Sequence, residues 1–178
     1  TPASPANQTT ITILGTSEAN ASIGMYSGAD CANTPFTVVI ASSNGSFSAS
    51  ASAPTDGSHV FSARATDTAS HVSTCSASIT YIKESTAPQV ASTSPTPNAT
   101  NIPITSSVTA TFNEALGGTP ASSFSLTTGG NPVSGTATYD STTKTITFVP
   151  TASLAYATTY TATISRSAIV DSAGNSLA

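Results

Sequence analysis

Apolar and polar positions alternate with a period of two through most of this chain, in short runs bounded by Gly, Asn, Asp and Pro. In the first half the runs are 10–14, 21–26, 36–41, 45–53, 58–66 and 72–82, each predicted as a strand. In the second half they are 89–94, 106–113, 122–127, 132–139, 143–149 and 158–166. Run 72–82 places Cys75, Ala77, Ile79 and Tyr81 on one face and Thr74, Ser76, Ser78 and Thr80 on the other, as in a half-buried strand. No helix of ordinary length competes with this reading.

The alternation stops once. Lys83-Glu84-Ser85-Thr86-Ala87-Pro88 interrupts it, and Pro88, Pro95, Pro97 and Pro103 then forbid central-strand pairing around themselves. A boundary there gives domains 1–85 and 86–178, each of a size that can bury a modest core. The expected class is all-β, two consecutive sandwiches. Val108, Ala110, Phe112, Phe124, Leu126, Ile146, Phe148, Tyr160, Ala162 and Ile164 are the expected core of the second.

Composition narrows the partners. Charged residues make up 7% of the chain, far below the usual quarter, and Ser, Thr, Ala, Gly and Asn take their place. The 38% hydrophobic content in regular alternation argues for order. Four basic residues against eight acidic ones leave no basic patch for a phosphate backbone, so nucleic acid is not an expected partner. No apolar run is long enough to span a membrane as a helix.

Cys31 and Cys75 are too far apart for a C-x-x-C metal or redox motif. One falls in a loop and the other near the start of a strand, where a disulfide could pin the sheet edge. Two buried thiols are the other reading. The hydroxyl-rich, charge-poor composition favours the disulfide and an oxidising, extracellular setting.

Two sets of motifs carry a resemblance. Thr86-Ala87-Pro88-Gln89-Val90, Ser92-Thr93-Ser94-Pro95, 108–115, Phe148-Val149-Pro150, Leu154, 159–164 and Asp171-Ser172-Ala173-Gly174-Asn175 resemble the bacterial immunoglobulin-like domain of surface-layer proteins. Residues 15–23, Asn44-Gly45-Ser46-Phe47, Asp56-Gly57-Ser58-His59 and Ala65-Thr66-Asp67 are similar to immunoglobulin-like repeats of adhesins and biofilm proteins. The resemblance implies two consecutive immunoglobulin-like β-sandwich domains, secreted or displayed at a bacterial surface. It also implies a tyrosine corner at Tyr160, whose hydroxyl bonds back to upstream backbone. His59 falls at the equivalent position of the first domain, as a structural residue, and His71 falls in the turn equivalent to 171–175.

Catalysis is not expected. There is no G-x-S-x-G elbow, and no two acids pair in the pattern of a glycosidase. No cofactor is expected. Asp67, Glu84 and Glu114 or Asp171 could converge near the domain junction, but calcium takes six or more oxygens and no D-x-D-x-D cluster exists, so they are read as solvated or turn-capping acids and no metal is assigned. A Lys to Asn isopeptide cross-link would have only Lys83 and Lys144 to draw on, both at boundaries or turns.

The halves are unequal. The turn at Asp67 leads into a last strand, whereas after Asp171 only a few residues follow, so the second domain is expected to lack its last strand. A cut from a longer protein and completion by a strand from another chain both explain this. The expected function is a non-catalytic stalk or spacer whose partners are neighbouring domains or copies of itself. The alternatives are an adhesive module for a cell-surface glycan or protein, using Tyr26, Tyr139 or Tyr156, and a self-assembling fibre.

Overall fold

The computed structural model describes residues 3–178. It is all-β and divides into two compact units, Thr1–Ser85 and Thr86–Ala178.

In the first unit, β1 (Thr10–Thr16) pairs antiparallel with β4 (Ser46–Ser52) in one sheet. The other sheet has the order β3-β2-β5-β6, from β2 (Ser22–Ser27), β3 (Thr37–Ile40), β5 (Gly57–Thr66) and β6 (Ile79–Lys83). The inward positions fit the period-two pattern: Ile11 and Ile13 on β1, Ala49 and Ala51 on β4, Ile23 and Met25 on β2, Phe61 on β5 and Tyr81 on β6. Burying each large side chain among them contributes about 1.5–3 kcal/mol. The alanines of β4 keep the layer thin. Opposite Phe47 on β4 stands Gly15, and the Phe47 ring occupies the space a Cβ would need there.

The predicted strand 72–82 is corrected at its start, since β6 begins only at Ile79. Upstream, the N–H groups of Ser73 and Ser76 donate to the carbonyls of Ala65 and Ala63. The hydroxyls of the same two serines accept from the N–H groups of Ala65 and Ala63, at 3.0 Å each. Three residues on this segment therefore match two on β5, a bulge that lifts Thr74 and Cys75 off the ladder. Ala77, expected inside, is exposed.

The second unit stacks a four-stranded sheet, β12-β13-β8-β7, and a three-stranded one, β11-β10-β14, around Ala110, Phe112, Phe124, Leu126, Ile146 and Phe148. Its strands are β7 (Val90–Ser94), β8 (Val108–Phe112), β9 (Leu116–Gly118), β10 (Phe124–Thr128), β11 (Asn131–Pro132), β12 (Gly135–Asp140), β13 (Thr145–Pro150), β14 (Thr161–Ile164) and β15 (Ile169–Asp171). Run 132–139 is thus split, and run 122–127 opens as a 3₁₀ turn at Pro120–Ser123. The pair β9–β15 has no alternation to read, because Gly117 and Gly118 carry no side chain. Ile169 and Leu177 are buried, so the residues after β14 contribute to this core.

β14 lies at the edge of its sheet, paired with β10 alone. Ala162 stands opposite buried Leu126, yet it is exposed, contrary to its expected place in the core. Nothing on the far side of β14 covers it among the described residues.

Candidate functional site

The two units close their late strands with the same loop. In the first, Asp67 Oδ1 accepts the N–H groups of Ala69 and His71 at 2.8 Å each, and His71 Nδ1 meets Asp67 Oδ2 at 2.8 Å. In the second, Asp171 Oδ1 accepts the N–H groups of Ala173 at 2.7 Å and Asn175 at 2.9 Å, and Asn175 Nδ2 donates to Asp171 Oδ2 at 2.7 Å. A backbone bond spans each loop, Asp67 N to His71 O and Asp171 N to Asn175 O, both 3.0 Å. The fourth residue has positive φ in both, 70° at Ser70 and 88° at Gly174. His71 and Asn175 play one role: each donates from its side chain to the carboxylate that organises the loop. Residues 68–71 of the first loop are exposed, whereas Asp171, Ala173 and Asn175 of the second are buried.

The corner residues are equally local. The Tyr160 hydroxyl accepts the N–H of Ala155 at 2.8 Å. His59 Nε2 lies 2.8 Å from the carbonyl oxygen of Thr55, to which it donates. Each ties its strand to backbone a few residues upstream.

Cys31 and Cys75 form a disulfide, with Cα atoms 5.8 Å apart. Cys31 is buried in the loop after β2 with φ 52°, and the Ser62 hydroxyl lies 3.4 Å from its sulfur.

Lys83 closes β6 next to the unit boundary and Lys144 lies in the turn between β12 and β13, as expected. Lys83 ends β6 as a buried residue, and its ammonium contacts Asp56 Oδ1 at 2.6 Å. Ser85 Oγ donates to the same carboxylate. The Lys83 ammonium, and after it Ser85, hold the Asp56 carboxyl below its usual range. The contact is a charge-assisted ion pair. Lys144 donates to the carbonyl of Asn113 at 2.9 Å. Alternation gave no sign of Lys83; a single basic residue closing an apolar strand was the available signal.

Of the three candidate tyrosines, Tyr26 is half-buried with its ring over Gly24, and Tyr139 accepts the Leu116 N–H at 2.7 Å. Tyr156 alone of the three presents its ring to solvent, at 82% exposure. Glu114 and Asp171 bring carboxylate oxygens within 4.8 Å of each other in the second unit, and Asp67 stays in its own loop.

Asp67 and Asp140 share the downward shift of Asp56, the first through the His71 ring and the second through the Thr142 and Thr143 N–H groups. A carboxyl whose pKa is lowered on folding adds stability above the unfolded pKa, about 3.9, and that stability disappears as pH falls through the folded value. The melting temperature is therefore expected to hold down to about pH 4 and to fall below it. Calorimetry from pH 7 to pH 2 checks this, and Asp56→Asn, Asp67→Asn and Asp140→Asn should each flatten the acid limb.

Paired β-sheets closed by a tyrosine corner and carboxylate-organised loops define an immunoglobulin-like β-sandwich protein. The family described as bacterial Ig-like domain matches residues 84–178, more than half of the chain, and the chain belongs to that family. No curated protein matches it. Among the described residues, no helix is long and apolar enough to cross a membrane.

Proposed function

We propose that this chain is a non-catalytic spacer in a secreted or cell-surface bacterial protein, a stalk segment of an adhesin or surface-layer-like protein. One observation carries the reading: His59, His71, Tyr160, Asp67 and Asp171 all direct hydrogen bonds to the backbone or loop of their own unit. Polar groups committed to holding loops and corners suit a load-bearing module. The shared loop geometry supports reading the first unit as a second immunoglobulin-like module, of the adhesin or biofilm type. The disulfide supports an oxidising, extracellular location. Its partners in this reading are neighbouring domains of a longer polypeptide or copies of itself.

Stretching the full chain by atomic force microscopy tests the role. A spacer gives two separate unfolding events from a monomer. With the disulfide closed, the sequence separation of 44 residues is withheld from the first unit's extension, and reduction should return about 160 Å of contour.

The free edge of β14 favours a second reading, completion by an added strand from another chain. The Ser165 N–H points to Ser123, immediately before β10, so by alternation the Ala162 N–H points away from β10. Concentration-dependent oligomers abolished by Ala162→Pro would replace the spacer with a self-assembling subunit. Binding on a glycan array that is lost on Tyr156→Ala would replace it with an adhesive module.

A further inference from the structure

The segment joining the Asp67 loop to β6 is held in an unusual way. Every residue from 68 to 78 except Cys75 is exposed, so apolar burial anchors almost none of it. It is attached to β5 by an isolated bridge between Thr66 and Val72 and by the paired bonds of Ser73 with Ala65 and of Ser76 with Ala63, and to the loop after β2 by the disulfide. Exposed hydrogen bonds of this kind open readily, because water replaces them at little net cost. The covalent bond is the one attachment that water cannot replace.

What lies behind the segment is apolar. A cleft of about 310 Å³ has Ser73, Thr74, Ser76 and Ala77 on its rim and reaches Ile13, Ile23, Met25 and Phe61 of the core. The two ends of the disulfide are anchored unequally. Cys31 is itself buried, and its loop is fixed on either side by Gly28 N to Val60 O and Phe36 N to Met25 O, each 2.8 Å. Cys75 has exposed neighbours on both sides.

We propose that the Cys31–Cys75 disulfide is a redox latch, whose reduction releases residues 67–78 from the edge of β5 and opens the apolar cleft while both sandwiches stay folded. The step is a two-electron exchange with a dithiol. The Cys31–Cys75 sulfur–sulfur bond breaks, both sulfurs leave as thiols, and the dithiol becomes the disulfide. The Cys31 loop stays in place and the Cys75 side moves. Breaking the cross-link returns the chain entropy that it withheld from the opened state, so the local opening equilibrium shifts while the β1–β4 ladder is untouched.

Amide hydrogen exchange followed by NMR on the full chain, oxidised and reduced with dithiothreitol, tests the latch. The amides of Ala63 and Ala65, which point at the segment, and those of Ser73 and Ser76 should lose protection on the order of 100-fold on reduction. The amides of Ser62 and Arg64, which alternate toward β2, and those of the β1–β4 ladder should keep theirs. Unchanged protection at Ala63 and Ala65 would overturn the proposal, and so would equal loss across the β1–β4 ladder, which is global unfolding. Limited proteolysis of the Cys31→Ser/Cys75→Ser variant provides a second reading. It is carried out in trimethylamine oxide, which favours the folded state of a weakened variant. First cuts confined to 67–78 support the latch, and first cuts elsewhere overturn it.

Discussion

Replacing Tyr81 with alanine is expected to cost the first unit about 4 kcal/mol, within the range for large buried aromatics, and to lower its melting temperature by about 20 °C. Tyr81 has 0% exposure, on β6 at the centre of the core. Its hydroxyl is directed at two carbonyls of the N-terminal segment, Gln8 at 2.8 Å and Ala6 at 3.0 Å. That segment meets β6 in parallel, with Ala6 N donating to Ile82 O and Glu84 N to Ala6 O. One side chain therefore fills the core and ties down the start of the chain. Tyr81→Phe keeps the ring and removes only the hydroxyl, for an expected loss of about 1 kcal/mol. Calorimetry of the two variants separates the contributions. Near-equal losses would mean that the hydroxyl dominates, against the burial argument.

Asp171→Ala is expected to cost the second unit about 3 kcal/mol, since it leaves buried donors without their acceptor. Asp171 is 4% exposed and organises its loop through Ala173 N, Asn175 N and Asn175 Nδ2. Asp171→Asn should cost less, because an amide oxygen can still accept the two backbone N–H groups. It does, however, turn its own NH₂ toward the Asn175 amide. Adding Asn175→Asp restores a donor–acceptor pair with the roles exchanged, so the double variant should recover most of the loss. Denaturant melts over the four combinations measure the coupling, and additive losses would show that the side-chain pair is not the source. Asp67→Ala, in the exposed loop of the same geometry, should cost far less, because water satisfies the donors there.

The period-two pattern carried the core of the fold. Ile11, Ile13, Ile23, Met25, Phe61 and Tyr81 lie inside because alternation on a pleated strand assigns a face without reference to the rest of the molecule. The same local rule found the Asp67 and Asp171 loops, since a carboxylate that caps N–H groups two and four residues ahead is a property of adjacent sequence. Alternation misled where a strand position depended on a partner far along the chain. Residues 72–78 alternate as a strand should, but the serine hydroxyls compete with the ladder carbonyls and start β6 late. Ala162 alternates inward, but no strand beyond β14 covers it.

The candidate site divides in the same way. That the two cysteines belong together, and that Tyr160 and His59 serve the fold, could be argued from composition, spacing and family motifs. Three-dimensional packing alone decided that Lys83 is buried on Asp56, that Tyr139 is spent on Leu116 and that Tyr156 is the candidate ring facing solvent. Packing also set the unequal anchoring of Cys31 and Cys75. The physical reason is range: face and turn follow from neighbouring residues in sequence, whereas burial and anchoring are set by which distant segment arrives to pack.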